Sequence, residues 1–183
     1  YRHEQIDFSD ESLRGKAFRA INPMMQIPAL EDGGVVFTES LAINIYLAEK
    51  HGGDLAPRDA SERGQVAMWS LFAATQLEKP ALDVFYNRHL KPENERDHTL
   101  AKTQLEALQR PLHFMDGALQ RNGGTLMEGR ISVADINVAC CLFYLRKDTD
   151  QYVARPHLAA WWEAMTKRPA YRKAMALRGE AVE

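Results

Sequence analysis

The segment MMQIPALEDGGVVFTES, Met24 to Ser40, packs a proline, a glycine pair and an acid beside a hydroxyl into one short run ahead of an apolar stretch. Ile27–Leu30 and Val35–Phe37 are predicted as two short strands flanking Glu31-Asp32-Gly33-Gly34, whose glycines supply the positive φ of a tight antiparallel hairpin. Pro28 has no N–H to give to a ladder, so the strand is left open where it begins. An X-Pro bond is also the one peptide bond that adopts the cis form cheaply. A cis Ile27–Pro28 linkage would turn the Ile27 N–H and C=O outward, where an extended peptide could pair with them as an added strand. Glu39–Lys50 is predicted as a helix closed by Gly52-Gly53. Its first turn, with Glu39 and Ser40, has unsatisfied amides and the positive end of the helix dipole, which favour a carboxylate. The Ser40 hydroxyl adds a donor, and Glu39 suits an ammonium on the same ligand. A backbone clamp beside a reader of an α-amino acid head group points to a small peptide.

Outward from this segment, Tyr1–Phe8 alternates enough to suggest a strand, and Ser12–Ala20 suggests a short helix that Ile21-Asn22-Pro23 interrupts. Beyond Gly52 the character changes. Residues 53–60 are rich in glycine, proline and polar side chains and read as a linker between a first domain, 1–52, and a second, 61–183. The second domain is all helical. Val66, Trp69, Ala73, Leu77, Ala81 and Val84 step by threes and fours, as do Leu105, Leu108, Leu112, Met115 and Leu119, each series marking an apolar face. Pro80 and Pro111 are expected to bend or break these helices. Ser132 and Asp135 form a capping box at the start of a further helix, and Trp161 and Trp162 are expected to anchor the core.

The chain has 183 residues and a formal charge of −2, with basic residues scattered rather than gathered into a stripe, which argues against nucleic acid as a partner. No apolar run approaches the roughly 18 residues of a membrane span, and the first residues lack a charged-then-apolar leader pattern. A cytoplasmic protein with no membrane partner is expected. Cys140 and Cys141 are adjacent in an apolar helical stretch, where neighbours pair poorly, and both read as buried reduced thiols. The six histidines show no ligand spacing, so no metal is expected.

The order of these elements resembles the cytosolic glutathione S-transferases, and bacterial-type members in particular. NPMMQIPALEDGG is similar to their Asn-Pro…Gln-Ile-Pro-Ala-Leu segment, TESLAINIYLAEKHG to their glutathione-reading turn and helix, and ISVADINVACCL to the capped helix of their helical domain. The resemblance implies an α/β plus all-α fold, with an incomplete thioredoxin-like domain carrying the glutathione site and an all-helical domain forming much of the pocket for an apolar electrophilic substrate. It implies that Ile27, held by cis-Pro28, pairs through its backbone with the cysteinyl part of glutathione. Glu39 and Ser40 would hold the γ-glutamyl end, with Gln26 as a further side-chain contact. TQLEKP, Thr75–Pro80, lies where bacterial members carry Glu-Leu-His-Lys, which makes Glu78 and Lys79 candidates for the substrate cleft.

A thiol of pKa about 8.5 is mostly protonated at neutral pH, so conjugation needs a hydrogen-bond donor at the sulfur. In the resembled family that donor is a Tyr or Ser hydroxyl, replaced by Cys in thiol-exchange members. It belongs to a strand and helix of roughly 25 residues that are expected to precede Tyr1. No catalytic residue is therefore assigned within this sequence. The implied activity is conjugation of the glutathione thiol to electrophilic small molecules by a homodimer. A glutathione-dependent peroxidase or disulfide reductase on the same fold is an alternative, as is a non-catalytic binding or assembly module.

Overall fold

The computed structural model describes residues 1–4, 6 and 15–178. The chain divides into two compact units, Tyr1–Gly52 and Gly53–Glu183.

In the first unit, helix α1 (Lys16–Ile21) buries Phe18 and is closed by Asn22, whose N–H donates to the Phe18 carbonyl at 2.8 Å. Strands β1 (Leu30–Asp32) and β2 (Val35–Phe37) form an antiparallel pair in which Leu30 faces Phe37, Glu31 faces Val36 and Asp32 faces Val35. Gly33 and Gly34 make the connection at φ +59° and +81°, the pair of positive values that a two-residue hairpin loop of the primed type requires. Helix α2 (Ser40–His51) follows, burying Ile43 and Ala48, with Lys50 in the last turn, where its charge complements the helix dipole.

Three expectations are corrected here. β1 begins at Leu30 rather than Ile27, because Pro28 has no N–H to give and Ile27 stands off the ladder. Residues 1–4 and 6 carry no strand, since a strand needs a ladder partner and β1 and β2 pair with one another; residues 5, 7 and 8 lie outside the described residues. The first helix starts at Lys16, with residues 12–14 again outside the described ones.

The second unit is helical. Its first element is a short 3₁₀ turn, Gly53–Leu55. Helix α3 (Ala60–Phe72) is capped by Asp59, whose carboxylate accepts from the Glu62 N–H at 2.9 Å. It runs without a break through a π-helical segment (Ala73–Glu78), helix α4 (Lys79–Phe85) and a second π-helical segment (Tyr86–Leu90). Pro80 therefore does not end the run. A proline ring clashes with the carbonyl four residues back, here that of Gln76, and the wider π turn that contains Gln76 relieves the conflict. Val66, Trp69, Ala73, Leu77, Ala81 and Val84 are all buried along this run.

Helix α5 (His98–Arg121), capped by the Asp97 carboxylate, carries Pro111 in its middle without interruption. An interior proline costs about 3 kcal/mol. Leu108, Leu112, Met115 and Leu119 of the same helix are fully buried, at roughly 1.5–3 kcal/mol each. Packing outweighs the local cost. Trp69 and Phe72 of α3 meet Phe114 of α5 with ring centroids 5.4–5.6 Å apart.

The capping box opens helix α6 (Val133–Leu142): Asp135 accepts from the Ser132 N–H at 2.9 Å, and Ser132 Oγ accepts from the Ala134 N–H at 3.2 Å. Helices α7 (Asp150–Val153), α8 (Pro156–Thr166) and α9 (Pro169–Leu177) complete the unit. The buried Asp135 carboxylate also accepts from the Leu126 N–H at 3.0 Å and from Trp161 Nε1 at 2.9 Å, joining α6, the chain before it and α8. Trp161 is buried, while Trp162 is half-buried and stacks on Tyr152. Arg130 donates to the carbonyls of Asp54 and Ala56 and pairs with Glu62, tying the start of the unit to its later part. Cys141 is buried but Cys140 is exposed, which corrects the expectation of two buried thiols.

Candidate functional site

The hairpin register brings two of the expected groups to one place. The ladder closes at Leu30–Phe37. Gln26, Ile27 and Pro28 approach β1 while Glu39 and Ser40 leave β2, so all five residues lie at the open end of the hairpin, and all are exposed.

The approach to β1 is shaped by Asn22, a buried side chain. Its amide donates to the Gln26 carbonyl at 2.6 Å and its oxygen accepts from the Met24 N–H at 3.0 Å, closing a loop in which Met25 takes φ +54°. The Ile27–Pro28 bond is cis. Among the described residues the Ile27 main chain has no hydrogen-bond partner, and Ile27 is 36% exposed. A main-chain donor and acceptor are thus left unpaired beside the cis bond.

On the exit side, α2 begins at Ser40, so Glu39 precedes the helix rather than lying in its first turn. Glu39 takes φ +64° and ψ +108°, a conformation that costs a non-glycine residue about 1–3 kcal/mol and persists only where the surroundings impose it. Its carbonyl accepts the first helical bond, from the Ile43 N–H at 3.0 Å. The Glu39 side chain makes no cap bond to the α2 amides, and the Ser40 hydroxyl is exposed at the first turn, the end of the helix where the dipole favours an anion. The Glu39 carboxylate is on the same connection. The arrangement can bind a carboxylate and an ammonium at one end of a ligand and a peptide unit further along it.

Two features that bear on this site had no counterpart in the sequence reading. One is the Asn22 bracket, foreshadowed only by an asparagine ahead of a proline. The other is a clamp between hairpin and helix. Tyr46 Oη donates to Asp32 Oδ2 at 2.9 Å, Lys50 Nζ donates to the same oxygen at 2.5 Å, and the Tyr46 ring stacks on Phe37 at 4.0 Å. The bonded Lys50 and Tyr46 hold the Asp32 carboxyl below its ordinary value, and the bond to Asp32 raises Lys50.

Glu78 and Lys79 part company. Lys79 pairs with Asp83 one turn along α4 and its side chain is 74% exposed, a solvated surface pair. Glu78 is half-buried at the end of the π-helical segment, near Cys140, Cys141 and Tyr144. Burial pushes Cys141 and Tyr144 up, with the Glu78 charge adding to the effect, and the Cys141 thiol reaches about 12. A thiol so held is not a nucleophile near neutral pH. Among the described residues, no group of three or more His, Cys, Asp or Glu is arranged to hold a metal ion, and no helix is long and apolar enough to cross a membrane.

Comparison with known proteins gives this geometry a family. The family model described as "Glutathione S-transferase, N-terminal domain" matches residues 1–49, and "Glutathione S-transferase, C-terminal domain" matches residues 73–169. Glutathione S-transferase 3 of Zea mays is 33% identical over 179 residues, covering 93% of this chain and 80% of the maize protein. Glutathione transferase F7 from Populus trichocarpa superposes with a TM-score of 0.82 at 28% identity, covering 93% of this chain and 84% of that one. The structure of glutathione S-transferase-I bound with lactoylglutathione superposes with a TM-score of 0.84 at 28% identity, covering 97% and 87%. The two organisms named are plants, and the expectation of a bacterial-type member finds no support in them. The chain belongs to the glutathione S-transferase family, with a small thioredoxin-like unit followed by the family's all-helical one.

Proposed function

We propose that this protein is a glutathione transferase that joins the sulfur of glutathione to electrophilic, largely apolar small molecules in the cytoplasm. The observation that supports the reading most is the cis Ile27–Pro28 bond on the chain that enters one hairpin, with Glu39 and Ser40 on the chain that leaves its open end. In this reading the γ-glutamyl carboxylate lies at the start of α2 beside the Ser40 hydroxyl, and its ammonium faces Glu39. The cysteinyl unit pairs with the Ile27 main chain beside Pro28, with Gln26 contributing a side-chain contact. Held in this way, the thiolate attacks an electrophilic carbon. A C–S bond forms, and either a leaving group departs with its electron pair or the adduct takes up a proton. Lysine at 79 is set aside for the second substrate because Asp83 engages it, whereas half-buried Glu78 is retained. Residues 1–52 and 61–183 are the two domains, joined by 53–60.

The working form in this reading is a homodimer. Its support is an exposed apolar stripe: Met68 at 49% and Leu71 at 64% on α3, with Phe114 at 47% on α5 alongside.

The test is retention on immobilised glutathione followed by turnover of chlorodinitrobenzene. Ser40→Ala and Glu39→Ala are expected to lose retention while remaining folded by circular dichroism. Unchanged retention in both variants overturns the site, and retention without turnover in the complete protein, with the segment expected before Tyr1, overturns the enzymatic reading.

A further inference from the structure

Thr38 and Glu39 alone connect β2 to α2, and Glu39 is held at φ +64°. A non-glycine residue does not adopt that conformation unless the flanking elements impose it. The spacing and angle of hairpin and helix must therefore be fixed from elsewhere. Tyr46 touches both strands at once. Its ring stacks on Phe37, the last residue of β2, with centroids 4.0 Å apart and planes 22° apart. Its hydroxyl donates to Asp32, the last residue of β1, at 2.9 Å. Lys50, one turn further along α2, donates to the same Asp32 oxygen at 2.5 Å and lies 5.6 Å from the Tyr46 ring centroid.

We infer that Tyr46 is a positioning residue for glutathione: its stack on Phe37 and its bond to Asp32 set the hairpin against α2 and thereby hold Glu39 and Ser40 in the shape that binds the γ-glutamyl end. The ring fixes the distance from β2, and the hydroxyl, anchored with Lys50 on one carboxylate oxygen, fixes the rotation about that contact. Tyr46 itself lies six residues into the helix from Ser40, so its effect is transmitted through the elbow. The inference rests on the assignment of Glu39 and Ser40 to glutathione.

The experiment compares the full-length protein with Tyr46→Phe, Asp32→Asn, Tyr46→Leu and Ser40→Ala. It measures Kd for glutathione by calorimetry, KM for glutathione and kcat with chlorodinitrobenzene, and thermal unfolding. Tyr46→Phe keeps the stack and loses one hydrogen bond, so Kd and KM for glutathione rise about threefold to tenfold. Asp32→Asn, with a weaker acceptor, gives a rise of similar size, and combining the two adds less than their product because they share one interaction. Tyr46→Leu, losing both contacts, exceeds either. In the Tyr46 and Asp32 variants kcat at saturating glutathione stays within about twofold of wild type. Should Tyr46→Leu fail to fold, the first two variants decide. A lower melting temperature with glutathione Kd and KM unchanged in Tyr46→Phe and Asp32→Asn, while Ser40→Ala weakens binding, overturns the positioning role. Unchanged binding in Ser40→Ala overturns instead the site on which it rests.

Discussion

Asp32 accepts two hydrogen bonds on one oxygen at the turn end of β1, and through them its carboxylate ties the hairpin to α2 alongside the Tyr46–Phe37 stack. Lys50 is the larger cause of its lowered pKa and Tyr46 the next. A depressed carboxyl contributes stability above its unfolded value of 3.8 and loses that contribution as pH falls through the lower folded value. Lys50 is raised, so its share is present below 10.5 and lost as pH rises through the higher folded value. The clamp is therefore constant across the neutral range and opens only at the acid and alkaline extremes. Removing the ammonium with Lys50→Met is expected to move the Asp32 midpoint upward, toward its ordinary value, in an NMR titration of the side-chain carboxyl. A midpoint that stays put or falls would contradict the coupling. The sequence made Asp32 legible as part of a hairpin loop but not as a helix anchor, because its partners lie 14 and 18 residues away and meet it only once α2 packs against the strands. Cys140 was misread for a related reason. Successive residues on an α-helix point about 100° apart, so an apolar stretch does not bury two neighbours equally.

Elements were most legible where a local rule has one solution. The Gly33-Gly34 pair has few conformations compatible with a two-residue hairpin loop, and the Ser132–Asp135 box forms as its spacing requires. Prolines were read too strongly, because the cost of a proline is a local number whereas a helix survives on the sum of its contacts. In α5, Pro111 leaves the Ala107 carbonyl without its helical donor, yet the buried face of the same helix exceeds that loss several times over. Pro111→Ala restores the N–H and removes the ring clash, offset by about 0.4–1 kcal/mol from the greater freedom of the unfolded chain. The expected net gain is about 2–2.6 kcal/mol, read as a higher urea midpoint with unchanged m-value. A lower midpoint would mean that the ring itself fills space that alanine leaves empty. The two π-helical segments were not legible at all. Val66, Trp69, Ala73, Leu77, Ala81 and Val84 stay buried through the first of them, so the apolar pattern in the sequence is compatible with an ordinary helix.

For the molecule as a whole, the apolar stripe on the helical unit is the feature that an isolated chain leaves unexplained. Met68 and Leu71 lie three residues apart on α3, and Phe114 on α5 packs against Trp69 and Phe72 beneath them. The three side chains form a patch with an aromatic floor. An exposed patch of this kind marks an association surface, and in a two-fold assembly the same patch meets its own copy, so one substitution acts twice at the interface. Leu71→Glu places a carboxylate in each copy, where burial is costly and the two charges repel. The side chain is 64% exposed in the single chain, so the fold itself loses little. Light scattering is expected to give twice the chain mass for the wild-type protein and the single-chain mass for Leu71→Glu, with matching circular dichroism spectra. If the variant retains the doubled mass, association occurs through another face; if the wild type is already monomeric, the stripe has a different partner and the homodimer is excluded.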